Sequence, residues 1–285
     1  MDEIKIILRE QYGIDCKNVS PQQGGWSALA YKVLDDRCTY FLKVYEKNRA
    51  STSKWTALID TYMPVTVWLQ QNSGLKGKIP VPLFTTNGDY KYESKDAIYL
   101  LFQYIDGETI GNRELSREQV CQLAEIVAEL HWYGGEIPVQ TEGLREVFEV
   151  PFLQELRNAL DHDWNKLSTD VVKMIEPKME RIKSLSDSIR RLSARLKNSH
   201  PKLALCHTDI HNWNLMLAEE KLILIDWEGL TVAPVEADLM FQFYQEKRKL
   251  EDMWEFVQQL LFDEQDAGER AATISLLAKE LKTLV

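Results

Sequence analysis

The sequence predicts an α+β protein with a strand-rich N-terminal lobe and a helix-rich C-terminal lobe. Two observations lead to this prediction. Short runs of β-branched and aromatic residues dominate the first hundred positions, and amphipathic runs dominate the remainder, with one short hairpin among them. Such segregation of strands from helices is typical of the α+β class. The apolar run FQYIDG marks the expected boundary, so the predicted lobes are residues 1–103 and residues 104–285.

The N-terminal lobe is predicted to begin with a helix over residues 3–12 and to continue mainly as strands. Residues 20–27, SPQQGGWS, form a loop rich in breakers. The runs ALAYKVL and CTYFLKVY follow, separated by the turn DDR, and predict a β-hairpin. Residues 52–72 have helical character but contain Pro64, so two short helices or a break near Met63 are expected.

Helices dominate the rest of the prediction, after further strands between residues 78 and 107. The clearest helix covers residues 114–131, where Ser116 is a candidate N-cap. The runs NLML and LILID, joined by AEEK, predict a second hairpin. The remaining helices are expected over residues 151–166, about 169–198, and from about 235 onward.

Composition limits the classes of function and compartment. The chain of 285 residues carries 34 basic and 44 acidic residues, and its net charge of −10 disfavours a nucleic-acid partner. Four cysteines without C-x-x-C spacing suggest free thiols in a reducing compartment. The N-terminus is charged at once and no apolar run reaches about 18 residues, so neither a signal peptide nor a membrane span is expected. These features predict a cytoplasmic protein.

Three polar side chains with defined spacing predict a catalytic site. The stretch CHTDIHNWNLM contains Asp209 and, five residues later, Asn214. Twelve residues beyond Asn214, Asp226 follows the strand LILI, and the hairpin between them brings the three side chains together. A carboxylate and an amide oxygen suit Mg²⁺. A second carboxylate can accept the proton of a hydroxyl group.

The same stretch permits a second interpretation. On a strand, His207, Asp209 and His211 would face one side and could bind zinc. The histidines elsewhere in the chain have no suitable neighbours in the sequence. The magnesium interpretation is therefore preferred, and His207 and His211 are expected to brace the loop.

The pattern His207-x-Asp209-x-x-x-x-Asn214 resembles the catalytic loop of the aminoglycoside phosphotransferase and choline kinase family. The longer run, CHTDIHNWNLM followed by LILIDWEGLTVAPVEADLMF, is most similar to spectinomycin phosphotransferases. The resemblance implies a two-lobed protein-kinase-like fold, with ATP and Mg²⁺ as cofactors and a hydroxyl group as phosphate acceptor. It implies that Asp209 is the catalytic base, that Asn214 and Asp226 are metal ligands, and that Asp238 anchors the loop.

The resemblance also assigns nucleotide-binding roles in the N-terminal lobe and at its boundary with the C-terminal lobe. Lys43, which lies among apolar residues of a strand, is expected to reach the α- and β-phosphates. The backbone near Gln103 and Ile105 is expected to bind adenine. The loop expected to cover the phosphates contains Gly24, Gly25 and Ser27.

The sequence departs from the kinase pattern at the partner of this lysine. Kinases pair it with a glutamate on the following helix, but Asp60 is the only acidic residue between residues 48 and 75. Either Asp60 serves as the partner of Lys43 or the pair is absent. A kinase-like nucleotide-binding protein with weak or no catalysis therefore stays open as an alternative.

The acceptor is expected to be a small molecule, because EADLM follows IDWEGL too soon for the activation segment of a protein kinase. An aminoglycoside- or spectinomycin-like amine suits an acidic chain, and choline, homoserine or a sugar are alternatives. Only 47 residues follow Asp238, so the form of the acceptor pocket stays open, as does the oligomeric state. Candidate acceptor contacts are Trp227, Glu228, Glu155, Asp161 and Asp163.

Overall fold

The computed structural model describes residues 2–22, 24, 27–239 and 242–284. The described chain is α+β, as predicted, with an antiparallel sheet preceding most of the helices. Contacts divide the chain into two compact units. The first comprises residues 1–47, 52–145 and 203–238, and the second comprises residues 48–51, 146–202 and 239–285. The lobe boundary between residues 103 and 104 is a different division of the chain and stays a prediction.

A five-stranded antiparallel sheet forms the centre of the first unit, and helix α1 (Asp2–Tyr12) precedes it. The strands lie in the order β1-β2-β3-β5-β4. The predicted hairpin of β2 and β3 is confirmed, with Leu29 opposite Val44 and Leu34 opposite Thr39. The strands are β1 (Asn18–Gln22), β2 (Leu29–Leu34), β3 (Thr39–Glu46), β4 (Tyr92–Glu93) and β5 (Ala97–Gln103).

Alternation along β3 separates two apolar clusters. Leu42 and Val44 pack in a cluster with residues of α1, on one face of the sheet. Tyr45 packs on the other face, in a larger cluster. Because side chains alternate along a strand, Lys43 faces the same side as Tyr45. The sheet therefore directs an ammonium group toward a largely apolar interior, where it needs a negatively charged partner.

Two helices follow β3, namely α2 (Thr52–Thr56) and α3 (Ile59–Asn72). Two helices were among the expected alternatives, but the break expected near Met63 is wrong. The interruption lies at residues 57–58, and Pro64 is inside α3. A proline inside a helix costs about 3 kcal/mol. Burial of apolar side chains along α3 offsets this cost. The buried side chains of α3 belong to Ile59, Tyr62, Met63, Val65, Thr66 and Leu69.

The rest of the first unit contains one long helix and the short strands that precede and follow the polar stretch CHTDIHNWNLM. Helix α4 (Arg117–Trp132) begins at the predicted N-cap, Ser116, which forms a capping box with Gln119. The second predicted hairpin is confirmed, with Leu215 of β8 opposite Leu224 of β9. The short strands are β6 (Glu108–Thr109), β7 (Ala204–Cys206), β8 (Leu215–Ala218), β9 (Lys221–Leu224) and β10 (Thr231–Ala233).

The second unit is helical in its described part. The helix predicted over residues 151–166 begins as α5 and continues through irregular helical turns to residue 166. The helix predicted over about 169–198 is divided at residues 176–178, which include Pro177. None of the described helices is both long and apolar enough to span a bilayer. The helices are α5 (Phe152–Asn158), α6 (Thr169–Ile175), α7 (Met179–Lys197), α8 (Gln242–Phe262) and α9 (Ala267–Thr283).

Candidate active site

The loop of residues 207–214, called the catalytic loop below because its sequence resembles that loop of the phosphotransferase family, follows β7 and is anchored by a buried carboxylate. Asp238 accepts the backbone N–H groups of His207, at 3.1 Å, and of Thr208, at 2.5 Å. The Asp238 side chain is 0% exposed and lies 2.8 Å from Nε2 of His131. Thr208 has a φ of 66°, a region that β-branched residues rarely adopt. The two backbone hydrogen bonds thus hold a strained turn at the start of the loop.

His207 links the catalytic loop to the strand that precedes Asp226. Its side chain is fully buried, and its Nδ1 accepts the backbone N–H of Asp209 at 3.3 Å. The proton of the neutral ring is therefore on Nε2, which donates to the Ile225 carbonyl at 3.0 Å. The ring also packs edge to face on Trp227, with 4.9 Å between the centroids. His207 braces the loop, as expected from the sequence.

Asp209 and Asn214 contact one another within the loop. Asn214 Nδ2 donates to the backbone oxygen of Asp209 at 3.0 Å and to its Oδ2 at 3.1 Å. Because these bonds use the amide nitrogen, the amide oxygen of Asn214 is the atom suited to a cation. His211 Nε2 lies 3.3 Å from Asp209 Oδ1, and its Nδ1 accepts the backbone N–H of Trp213 at 3.2 Å. His211 therefore also braces the loop.

The zinc interpretation of this stretch is not supported, because both ring nitrogens of His207 already have protein partners. The described chain contains another group of possible metal ligands, whose ligand atoms lie within 4.8 Å of one another: His131, Cys206 and Asp238. Burial raises the pKa of the Cys206 thiol, and the nearby Asp238 raises it further. A protonated thiol is a poor metal ligand, since metals bind the thiolate. The geometry of this group is that of a loop anchor.

Asp226 lies beside the catalytic loop and forms an ion pair with Lys43. The backbone N–H of Ile225 donates to the carbonyl of Asn214 at 2.9 Å, which places Asp226 next to Asn214. Asp226 adopts a φ of 71° at the end of its strand, and its Oδ1 accepts from Lys43 Nζ. Burial by itself raises the pKa of Asp226, but the Lys43 ammonium outweighs this effect and lowers it below the ordinary range.

The second partner of Lys43 is Glu228, whose Oε1 lies 2.6 Å from Lys43 Nζ. Burial favours loss of the Lys43 proton, but the two carboxylates, Asp226 first, outweigh it and raise the pKa of Lys43 above its ordinary range. Asp60, the partner considered from the sequence, instead forms an ion pair with Lys91 at 2.6 Å. Of the two alternatives left open by the sequence, Asp60 as the partner is wrong, and among the described residues the pair with the following helix is absent. The second carboxylate comes instead from a segment distant in sequence.

Trp227 and Glu228 do not have the surroundings expected of acceptor contacts. The Glu228 side chain is 10% exposed, and it accepts a hydrogen bond from the Tyr45 hydroxyl in addition to contacting Lys43. Trp227 is buried, and its indole N–H donates to the Leu224 carbonyl at 2.8 Å. The acid two residues after Asp226 was the available sequence signal, but its partner on β3 could be identified only in the folded chain.

A glycine lets the segment that carries Glu228 lie against the catalytic loop. A Cβ atom at Gly229 would lie 2.6 Å from Oγ1 of Thr208 and 2.9 Å from the carbonyl oxygen of His207. Thr208 Oγ1 donates to the Gly229 carbonyl at 2.8 Å. The turn after Asp226 and the start of the catalytic loop are therefore in direct contact.

The predicted phosphate loop lies between β1 and β2. Gly24 has a structural reason to be glycine, because a Cβ atom there would be 2.7 Å from the Cβ of Ala30. Ser27 is partly buried in the same connection. Gly25 lies outside the described residues.

The predicted adenine-binding segment follows the end of β5. The backbone N–H of Tyr104 donates to the Thr39 carbonyl at 3.0 Å, so this amide is used within the sheet. Gln103 and Ile105 flank it and line an apolar cavity of about 190 Å³ together with Val81 and Ile223. This volume is below the range of about 300–1,000 Å³ that is usual for ligand sites, so the cavity by itself does not accommodate a nucleotide.

The acids proposed as acceptor contacts in the second unit have different surroundings. Glu155 Oε2 accepts the indole N–H of Trp254 at 3.3 Å. Asp163 forms an ion pair with Lys166 at 2.6 Å, whereas Asp161 is exposed. These acids stay candidates for contact with an amine.

Comparison with known proteins supports the resemblance drawn from the sequence. A family model described as the phosphotransferase enzyme family matches residues 18–272. No curated protein matches the chain significantly.

Solved structures that align over almost the whole chain show the protein-kinase-like fold. A spectinomycin phosphotransferase in complex with ADP and spectinomycin aligns with a TM-score of 0.76 at 20% identity, over 99% of this chain and 97% of that one. An ADP-bound aminoglycoside phosphotransferase aligns with a TM-score of 0.54 at 19% identity, over 99% of both chains. An amicoumacin kinase in complex with AMP-PNP and Ca²⁺ aligns with a TM-score of 0.58 at 14% identity, over 99% and 92%.

Proposed function

Because this chain belongs to the phosphotransferase enzyme family, with residues 18–272 matched by the family model, we propose that it transfers the γ-phosphoryl group of ATP to a hydroxyl group of a small molecule. The observation that carries the proposal is the convergence of one base, two oxygen ligands and one cation. Asp209 contacts Asn214, the strand end next to Asn214 carries Asp226, and Asp226 contacts Lys43. Phosphoryl transfer requires these groups in one place.

The oxygen atoms of Asn214 and Asp226 fit a magnesium ion. Asn214 is held with its amide nitrogen toward Asp209, which leaves its carbonyl oxygen as a hard ligand. Asp226 supplies a carboxylate whose lowered pKa keeps it ionised near neutral pH. Mg²⁺ prefers such ligands and completes its shell with phosphate oxygens and water. When bound, it would neutralise charge on the transferred phosphoryl group.

Asp209 is proposed to orient the acceptor hydroxyl and to accept its proton. The hydrogen bond from Asn214 and the contact with His211 engage one carboxylate oxygen each and fix the direction of the side chain. The anchored backbone of His207 and Thr208 fixes the position from which it projects. Such preorganisation supplies catalysis by positioning, which is the main contribution that a protein makes to phosphoryl transfer.

The nucleotide is proposed to lie between Lys43 and the segment after β5. Lys43 would align the α- and β-phosphates. Because the backbone N–H of Tyr104 already donates within the sheet, the backbone groups of Gln103 and Ile105 are proposed to bind adenine. The phosphate-covering loop is proposed to use Gly24, Gly25 and Ser27.

The acceptor is proposed to be an amine-bearing alcohol similar to an aminoglycoside or spectinomycin. The net charge of −10 supports a cationic acceptor. The structure with the TM-score of 0.76 contains spectinomycin, which suggests where a screen should begin. Choline, homoserine and sugars are the alternative acceptors.

A screen of ATP consumption in the presence of Mg²⁺ tests the proposal across aminoglycosides, spectinomycin, choline, homoserine and methylated sugars. With the best acceptor, Asp209→Ala should slow turnover by about a hundredfold or more, the scale of lost acid–base assistance. Binding of Mg-ADP to this variant should be nearly unchanged. Asp187→Ala, at an exposed position on α7, is the matched control and should retain full activity. Near-normal turnover of Asp209→Ala would refute the assignment of the base.

A second variant tests the metal ligand separately. Asp226→Ala should weaken binding of ATP when Mg²⁺ is present and should have a smaller effect when Mg²⁺ is removed by a chelator. Equal affinities for Mg-ATP in the variant and the parent protein would show that Asp226 does not hold the metal. Binding of Mg-ATP without turnover of any acceptor would favour a nucleotide-binding protein without catalysis.

A further inference from the structure

We infer that Glu228 is a positioning residue that holds Lys43 in place, in the role that kinases give to a glutamate on the helix after the lysine strand. The inference rests on the proposed function, because it concerns the lysine proposed to align the nucleotide. It names the partner of Lys43 that the sequence left open. It also predicts that Glu228 is the carboxylate that stays with Lys43 when Asp226 binds the metal.

The contacts of Glu228 are those of a dedicated partner. Its Oε1 lies 2.6 Å from Lys43 Nζ and accepts a hydrogen bond from the hydroxyl of Tyr45. Lys43 and Tyr45 lie on the same face of β3, so one strand presents both donors to one carboxylate oxygen. The Glu228 side chain is more buried than that of Asp226, with exposed fractions of 10% and 36%. Burial strengthens the attraction between opposite charges.

Helix α3 supplies no acid to this site. Asp60 contacts Lys91, and its side chain is 66% exposed. The side chain of α3 that approaches the cluster is Tyr62, whose pKa is raised by burial and by the charge of Glu228. Its hydroxyl has no hydrogen-bond partner among the described residues. The helix therefore contributes a buried neutral group, and the negative charge comes from the segment after β9.

Asp226 alone does not supply Lys43 with a full counterion when a metal is bound. Asp226 is the proposed metal ligand, and a carboxylate that binds a divalent cation divides its negative charge between that cation and the ammonium group. Glu228 carries a second negative charge two residues later, so Lys43 keeps a counterion while Asp226 serves the metal. An ammonium group in a mostly buried position requires such a partner.

The backbone holds Glu228 at this position. Residues Trp227–Gly229 form a single helical turn, with Trp227 buried in the apolar cluster. The close approach of Gly229 to the catalytic loop fixes the other end of the turn. Glu228 therefore projects from a short segment that is anchored on both sides, which is the arrangement expected of a residue that orients another.

The test is a double-mutant cycle on phosphotransfer with the full chain. Glu228→Gln keeps the shape of the side chain but removes its charge, and kcat at saturating Mg-ATP should fall on the order of tenfold or more. Tyr45→Phe should reduce kcat by a smaller factor. Asp60→Asn is the matched control, and its kcat should stay within about twofold of the parent because its ion pair is exposed. Lys43→Met combined with Glu228→Gln should be no slower than Lys43→Met alone.

The outcomes distinguish this inference from its alternatives. If the two substitutions slow kcat independently and their factors multiply, Glu228 does not act through Lys43 and the inference is overturned. A Glu228→Gln variant that regains the parent kcat at higher Mg²⁺ would show a metal ligand instead, and that result would also overturn it.

A second cycle keeps the inference testable if the proposed function fails. If the parent chain turns over no acceptor, four proteins are compared by urea unfolding without ligand. They are the parent, Lys43→Met, Glu228→Gln and the variant with both substitutions. Coupling between Glu228 and Lys43 should then appear as non-additive changes in the free energy of unfolding. Additive changes would overturn the inference without reference to any activity.

Discussion

Replacing Asp238 by asparagine tests whether one buried carboxylate holds the catalytic loop. In the parent chain, the two oxygens of Asp238 accept the backbone N–H groups of His207 and Thr208, and one of them also contacts His131. Asparagine has nearly the same shape but only one acceptor oxygen. Its amide nitrogen cannot accept a hydrogen bond, so at least one backbone N–H group loses its partner while it stays buried.

The expected magnitude follows from these contacts. A hydrogen bond to a charged group contributes about 1.5–3 kcal/mol, and an unsatisfied buried donor costs about 1–3 kcal/mol. The φ of 66° at Thr208 adds strain that the lost hydrogen bond no longer offsets. We expect the free energy of unfolding to fall by about 3 kcal/mol. That change corresponds to a decrease in Tm of about 6–12 °C in a chain of roughly this size.

Urea unfolding monitored by tryptophan fluorescence and circular dichroism measures the change, and the same samples provide kcat. Loosening of the loop that carries Asp209 should lower kcat on the order of tenfold to a hundredfold. Asp187→Asn, on the exposed face of α7, controls for loss of one negative charge and should change stability by less than about 0.5 kcal/mol. An Asp238→Asn variant as stable and as active as this control would refute the anchoring role.

Two further predictions concern the same site. Gly229→Ala should lower the free energy of unfolding by about 1–3 kcal/mol, because a Cβ atom there would overlap the catalytic loop. The control in urea unfolding is Gly135→Ala, where the nearest atom to a new Cβ would lie at 3.4 Å, and it should lower the free energy of unfolding clearly less. Equal losses in the two variants would contradict the prediction. The lowered pKa of Asp226 contributes stability that is present above pH ~4 and is lost as the pH falls through that lowered pKa. Lys43→Met removes the cause of the lowering, so its free energy of unfolding should fall less steeply between pH ~5 and ~3 than that of the parent, and identical pH slopes would exclude the coupling.

The fold class and the principal polar residues were accessible from the sequence because they depend on local patterns. Alternation along ALAYKVL and CTYFLKVY is a property of strands, and the structure contains that hairpin. The spacing of Asp209, Asn214 and Asp226 implies a hairpin between them, and β8 and β9 form it. The N-cap at Ser116 was likewise accessible, because its hydrogen bonds join residues three positions apart.

The helix break was not predicted correctly because local propensity competes with packing. Proline disfavours a helix interior, which placed the expected break near Met63. The structure keeps Pro64 inside α3 and interrupts the chain at residues 57–58. The apolar face of α3 packs in the larger cluster of the first unit, and the gain from that burial depends on partners that lie far away in sequence.

The sequence by itself indicated the fold class and the convergence of Asp209, Asn214 and Asp226, because these depend on periodicity and short spacing that the chain displays directly. The roles of base and oxygen ligands proposed for phosphoryl transfer came from the resemblance to the phosphotransferase family. Only the tertiary structure decided the partners of the buried charges. Lys43 and Glu228 are separated by 185 positions, and their pairing follows from the face of β3 that Lys43 shares with Tyr45 and from the turn after Asp226. Opposite charges in a poorly solvated site pair with whichever carboxylate the fold brings near, so proximity in space, and not proximity in sequence, selected Glu228 over Asp60.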